Sequence, residues 1–313
     1  MRNKEFEIID VHTHATGIDI LNFFTPRIPS TQSLAELKGK MEASGITRAV
    51  VFPFPGTLYY NPKKILLENV WEATGLEDFP YQQENLALMA EIRLRQWESS
   101  LLPFLAFDPI EKVDQQCRYL ARESGYYGIK IHTLATRSSP ADVSKELISM
   151  LVGRNMPVLF HTGKQENALP QKVVDFAKIN QKLRVGLAHL GGLDSRALHE
   201  AIKVPNLFVD TSPFLCICYF AQHGIRRYLS DDIFQTDYGD PTGVLLDLSA
   251  FLGDKLIWGS DEPFSCFSDR RGIIVTNFSY AEQVEVLKRL ETMGYSEVLR
   301  KIVEENPKRF LFG

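Results

Sequence analysis

Cysteine is scarce in this chain, with four in 313 residues. Four cysteines in so long a chain make no disulfide framework, so a reducing, cytoplasmic setting is expected. Cys216 and Cys218 form a C-x-C pair, yet no second pair exists to complete a thiolate zinc site, and they read as part of an apolar wall. Long hydrophobic runs are also missing. The most apolar window is Phe214–Phe220 (FLCICYF), far short of the ~20 residues of a membrane-spanning helix. The opening MRNKEFEIIDVHTH has no apolar run followed by small residues, so no cleaved signal is expected. Neither charge dominates: 35 basic and 39 acidic residues leave a net charge of −4, which gives no electrostatic case for nucleic acid or an anionic membrane as partner. No internal repeat and no low-complexity segment interrupts the chain.

What is present is regular. Short apolar runs end in side chains that bind metals: Ile8–His14 (IIDVHTH), Tyr127–His132 (YGIKIH), Val158–His161 (VLFH), Val185–His189 (VGLAH) and Leu256–Asp261 (LIWGSD). Five of the seven histidines sit in these runs. Parallel strands of a closed barrel deliver their last residues to one face, and this pattern is what such a barrel would give.

Strands are expected at Ile8–Val11, Ala49–Pro53, Leu102–Phe107, Gly128–His132, Val158–His161, Val185–His189, Leu207–Asp210 and Leu256–Gly259. Amphipathic segments lie between most of them. Ser33–Ala43 has a capping serine, apolar Leu34, Leu37 and Met41, and Gly45 as a stop. Glu84–Trp97, Asp114–Arg122, Ser144–Leu151, Val173–Ile179 and Ala281–Leu290 read as further helices. Alternating strands and helices imply parallel pairing with right-handed crossovers. The expected fold is a single α/β domain over residues 1–313: a (β/α)8 TIM barrel with lid insertions after strands 2 and 7. An open doubly wound sheet shares the local pattern.

His12 and His14 are two apart, so on a strand both imidazoles face one side. His161, His189 and Asp261 on other strand ends complete a set with the nitrogen and oxygen donors that catalytic zinc takes. A metal lowers the pKa of its water to about 7, and Asp261 is the natural base for the water's proton.

These motifs resemble the amidohydrolase superfamily of metal-dependent TIM barrels. They are most similar to the amidohydrolase 2 branch, which includes aminocarboxymuconate-semialdehyde decarboxylase. The resemblance rests on Ile9-Asp10-Val11-His12-Thr13-His14, Phe160-His161-Thr162-Gly163, Ala188-His189-Leu190-Gly191-Gly192, Trp258-Gly259-Ser260-Asp261-Glu262-Pro263-Phe264 and the ending Asn306-Pro307-Lys308-Arg309-Phe310-Leu311-Phe312-Gly313. It implies metal ligands His12, His14, His161 and Asp261, with His189 polarising substrate or moving a proton. It also leaves a two-metal site open, in which a carboxylated Lys130 bridges the ions. The other reading of Lys130 is an inward-facing ammonium near an aspartate or a substrate carboxylate. His132 takes a second-metal, substrate-binding or structural role. The Gly191-Gly192 turn is expected to let the backbone approach a ligand closely.

Other residues carry less. Asp10 either orients a ligand or is structural, and Asp210 either serves the site or caps a loop. Arg226 and Arg227 read as surface residues that could meet an anionic substrate. His199 and His223 fall on a helix and an insertion. The expected function is hydrolysis of a small organic amide, lactone or ester with one divalent metal, zinc. Non-oxidative decarboxylation of a small carboxylic acid is the alternative, and an inactive barrel scaffold the second alternative. A homo-oligomer is left open.

Overall fold

Strand and helix alternate along the chain. The computed structural model describes residues 6–16, 31–268 and 274–313. The first half runs β1 (Ile9–His14), α1 (Leu34–Ser44), β2 (Arg48–Phe52), α2 (Pro62–Glu68), α3 (Gln82–Leu94), β3 (Leu101–Ala106), α4 (Val113–Arg122), β4 (Gly128–Ile131) and α5 (Lys145–Gly153). Then come β5 (Val158–Phe160), α6 (Pro170–Ile179), β6 (Val185–Leu187), α7 (Ser195–Ala201), β7 (Leu207–Asp210), α8 (Phe214–Gln222), α9 (Pro241–Leu252) and β8 (Leu256–Ile257). The chain ends with β9 (Cys266–Ser268), β10 (Ile274–Asn277), α10 (Tyr280–Thr292), α11 (Ser296–Arg300) and α12 (Asn306–Phe312).

Strands β1 to β8 pair in sequence order, each parallel to the next. Val11 N–H donates to Trp258 O at 3.1 Å and His14 N–H to Glu262 O at 2.7 Å, which joins the last strand to the first. The result is a (β/α)8 barrel. The strands are buried along nearly their whole length, as expected when helices cover one face and the barrel interior the other. Ile9, Val11, Val50, Phe52, Leu102, Phe104, Leu159, Phe208 and Ile257 fill the interior, where Phe310 and Leu311 of α12 join them. That explains the terminal motif: Asn306 Nδ2 donates to Leu256 O at 2.8 Å, and the helix it starts plugs the N-terminal end of the barrel.

Local signals correspond. Ser33 and Glu36 form a reciprocal capping box at α1, Leu34, Leu37 and Met41 are buried, and Gly45 closes the helix at φ 74°. Two readings change. Phe214–Phe220, which falls within the insertion expected after strand 7, belongs to the helix α8, and its apolar residues are buried against the barrel's outer layer. Within it Cys216 donates to Ser265 O at 3.1 Å, so its thiol is committed to the wall. Strand β8 also stops at Ile257, short of Asp261; that residue sits on a bent segment at φ 61°, held by its N–H to His12 O at 2.8 Å. Among the described residues no helix is long and apolar enough to cross a membrane.

Candidate active site

At the C-terminal mouth of the barrel, β1 presents His12 and His14, and the turn after β8 presents Asp261. Asp261 Oδ1 lies 3.1 Å from His12 Nε2 and 3.3 Å from His14 Nε2. All three residues are buried, and their ligand atoms lie within 4.8 Å of one another.

The outer nitrogens fix the tautomers. His14 Nδ1 is 3.1 Å from Pro53 O, an acceptor, so Nδ1 carries the hydrogen and Nε2 is bare. His12 Nδ1 contacts the Asp210 carboxylate and lies 2.8 Å from Ser212 Oγ. Ser212 Oγ already donates to Asp210 Oδ2 at 2.9 Å, so here too the hydrogen is on Nδ1 and Nε2 is bare. Burial, then the charge of Lys130, holds both imidazoles well below the usual histidine range, so both are neutral. Two bare nitrogens and a carboxylate oxygen therefore face one another. Three acceptors converge at a cost that a cation among them offsets; Lys130 Nζ, 3.3 Å from His12 Nε2, offsets part of it, and the donor set fits a metal ion. Histidine ligands held from behind by a carboxylate are typical of metal sites.

Asp210 is thus more than a loop cap. Its value was obscure in sequence because its partner lies 198 residues away. The glycine of the Trp258-Gly259-Ser260-Asp261 motif has its reason in the same contact. A Cβ at Gly259 would lie 2.5 Å from Asp210 Oδ1 and 2.8 Å from His12 Cβ. Asp10 plays a backbone part: it accepts from His12 N–H at 3.0 Å, Ser260 N–H at 3.1 Å and Tyr280 Oη at 2.9 Å. Burial pushes its carboxyl up to about 7.

A second group of histidines adjoins the first. His189 Nδ1 lies 2.9 Å from Ser212 O, so it carries the hydrogen, and Nε2 accepts from His161 Nδ1 at 2.8 Å. His161 stacks on His132 with ring centroids 4.0 Å apart. His132 Nδ1 accepts from Ala135 N–H at 3.2 Å, which places its own hydrogen on Nε2. The ring of His189 is 5.0 Å from that of His12. His161 is not part of the His12, His14, Asp261 group as the side chains stand. Lys130 points inward from β4, with Nζ 3.3 Å from His12 Nε2 and 4.9 Å from the Phe52 ring centroid. Burial lowers its ammonium to about 8, against the opposing pull of Asp261 and Asp210. Among the described residues, His199 Nδ1 and His223 Nδ1 bond to carbonyls one turn back, Ser195 O and Tyr219 O.

A cavity of about 320 Å³ opens above these groups. His14, His132, His161, His189 and Asp261 line it together with apolar Leu134, Ile217, Phe220, Phe264 and Phe267 and the cations Lys164 and Arg227. A larger groove of about 630 Å³ on the α9–α11 side holds none of these histidines.

The turn carrying His189 winds left-handed: His189, Leu190, Gly191, Gly192 and Leu193 all have φ between 50° and 62°. The close approach at its glycines is to protein. A Cβ at Gly191 would lie 2.9 Å from Pro170 Cβ, and one at Gly192 would lie 3.2 Å from Tyr228 O. The expectation that these glycines admit a ligand is corrected accordingly. Ser230 N–H donates to Gly192 O at 2.8 Å and Phe234 N–H to Leu193 O at 2.9 Å, so the segment after α8 is stitched onto the turn.

With this geometry in view, comparison with known proteins is informative. None of the curated proteins compared with the chain matches it. Solved structures do, over nearly their whole length. An amidohydrolase from Burkholderia multivorans with bound HEPES superposes with a TM-score of 0.61 at 15% identity, covering 98% of this chain and 100% of that one. A probable 2-pyrone-4,6-dicarboxylic acid hydrolase from Acinetobacter baumannii, with citric acid bound, gives 0.57 at 15% identity over 98% and 99%. The 2,6-dihydroxybenzoate decarboxylase from Rhizobium gives 0.58 at 12% identity over 98% of each. At such identities the likeness shows the fold alone. The family model described as amidohydrolase (amidohydrolase 2) matches residues 9–313, and the chain belongs to that family.

Proposed function

We propose that the protein is a metal-dependent hydrolase of a small organic amide, lactone or ester, working as one barrel domain over residues 1–313. The observation that carries this reading is the convergence of bare His12 Nε2, bare His14 Nε2 and Asp261 Oδ1 under a cavity. These three would hold one divalent ion, zinc by the character of the donors. His161 is proposed as the fourth ligand; with Nδ1 donating to His189, its bare nitrogen is Nε2. When bound, the ion supplies Lewis acidity and lowers the pKa of water to about 7.

The chain's own groups supply the rest. Asp261 takes the proton of the water that attacks the substrate carbonyl carbon. Asp210 and Ser212 keep His12 in the tautomer that leaves Nε2 free. Asp261 then returns the water's proton to the leaving group as the bond to carbon breaks, with the His161–His189 pair, joined at 2.8 Å, on the cavity wall beside it. Leu134, Ile217 and Phe264 exclude bulk water from the reacting atoms. We read the residues after β2 and after β7 as lid segments, because Pro55 of the first and Ile217 and Phe220 of the second line the cavity.

Decarboxylation of a small carboxylic acid is the second reading, supported by Asp261 at the cavity wall: once it holds a proton taken from water, it can hand that proton to the carbon from which CO₂ departs. The test is elemental analysis of protein purified without added metal, followed by a panel of esters, lactones, amides and aromatic acids. One ion per chain with hydrolysis supports the first reading, and release of CO₂ from an acid supports the second. Protein that neither holds nor takes up a divalent ion refutes both.

A further inference from the structure

Glu262 follows Asp261 directly and is only 3% exposed, so its carboxylate needs a partner inside the protein. The partner comes from the outer ring of helices: Lys40, on α1, reaches in to Glu262 Oε1. The same ammonium donates to Gln32 Oε1 at 3.0 Å, and buried Gln32 Nε2 donates to His14 O at 2.8 Å. His14 N–H in turn donates to Glu262 O at 2.7 Å. These bonds close a circuit. It leaves His14 by its carbonyl, passes through Gln32, Lys40 and Glu262, and returns to His14 by its N–H. One candidate metal ligand thus lies in the circuit, and another, Asp261, is the chain neighbour of Glu262.

Asp261 needs such support. Its φ of 61° is a left-handed conformation that a non-glycine residue keeps only when its surroundings enforce it. From the barrel side the turn is held by Asp261 N–H on His12 O at 2.8 Å and by Glu262 N–H on Ser260 Oγ at 3.1 Å. From the outside it is held by Lys40. Without that ammonium the buried Glu262 carboxylate would be uncompensated, with the Asp261 carboxylate on the adjoining residue. It would turn toward water and draw Asp261 with it.

We propose that Lys40 is a positioning residue: through Glu262 and Gln32 it sets the spacing between Asp261 and His14, and so tunes the affinity and coordination of the metal ion. It acts through the main chain of the ligand residues, remote from the reacting atoms. The inference deepens the hydrolase reading and rests on it for the presence of the ion.

The test joins zinc affinity, measured by chelator competition, to the visible spectrum of cobalt(II)-loaded protein, whose bands report the number and arrangement of ligands. Lys40→Met removes the charge and the donors. It should weaken zinc binding by about 10–100-fold, the range for groups that hold metal ligands in place, and alter the cobalt bands. Lys40→Arg keeps charge and donors and should restore most of both. Gln32→Met opens the circuit at another link and should change the bands in the same direction. The double variant Lys40→Met/Gln32→Met should bind zinc no more weakly than the weaker single variant, because a circuit already open cannot be opened again. A purely structural Lys40 would lower the melting temperature of metal-free protein and leave the cobalt spectrum as in the wild type. That result overturns the proposal, as do a Lys40→Arg protein as impaired as Lys40→Met and losses that simply add in the double variant. Wild-type protein that takes up no ion refutes the hydrolase reading and this inference with it; uptake by the wild type with unchanged variants refutes this inference alone.

Discussion

Replacing Glu84 with glutamine should flatten the pH dependence of stability. Glu84 lies in the first turn of α3, buried beside Glu77. Leu58 N–H donates to Glu84 Oε1 at 2.8 Å; Thr57 Oγ1 and Gln83 N–H donate to Glu77 at 2.7 and 2.6 Å. Among the described residues Glu84 Oε2 has no donor. A second buried carboxylate cannot supply one, so the atom is satisfied only if Glu84 keeps its proton and donates it to Glu77. Burial foremost, then the charge of Glu77 and a hydrogen bond to it, pushes the Glu84 carboxyl up from 4.5 to about 8. The folded state thus holds this proton more tightly than the unfolded chain. The group's stabilisation is complete below about pH 4.5 and is lost as pH rises to about 8, at no more than about 1.4 kcal/mol per pH unit. Above that the contribution is level. Glutamine keeps the acceptor for Leu58 N–H and gives Glu77 a donor that cannot ionise. Denaturant midpoints of the two proteins should therefore lie close together near pH 5. By pH 8 the variant should be the more stable by several kcal/mol. Parallel pH profiles would show that Glu84 is ionised in the folded protein and that the shared proton does not exist. Thr57 and Leu58 follow closely on Pro55, a cavity-lining residue, so the effect touches the wall of the site.

The other predictions concern the centre itself. Asp261→Asn should lose turnover by about 10²–10⁴-fold with the fold intact, and activity within a few-fold of wild type in metal-loaded protein would remove it from the role of base. His189→Ala should lose turnover yet retain about one metal equivalent by elemental analysis; two equivalents in the wild type, with a carboxylated Lys130 between them, would replace the one-metal reading. Asp210→Asn should weaken metal binding by about 10–100-fold in chelator competition, because His12 loses the carboxylate that sets its tautomer.

Much of the barrel is readable in the sequence, because the strands are short apolar runs and most of them, β2 and β3 apart, lead into a histidine or aspartate. The burial of both strand faces leaves few other interpretations. What is not readable depends on distant partners. Nothing near Asp210 in sequence indicates that its carboxylate meets His12, and Glu77 and Glu84 look like ordinary solvated residues seven apart. The sequence FLCICYF fits a buried strand or a buried helix equally well, and only packing against the barrel makes it α8. The Gly191-Gly192 pair signals a turn, but its left-handed run extends through His189, Leu190 and Leu193, residues that rarely take that conformation on their own.

That left-handed turn limits how the pocket can be remodelled. Ser230 and Phe234 are fastened to it by main-chain hydrogen bonds, so a residue added or removed between them would change the register of the stitching and rotate His189 with it. The flanking stretches, after Gln222 and before Pro241, carry no such attachment to the turn among the described residues. Length variation that reshapes the mouth can be accommodated there while the geometry around His189 is preserved. Loop grafts into this barrel therefore have a natural boundary: the stitched residues belong with His189, and the residues on either side are the ones open to exchange.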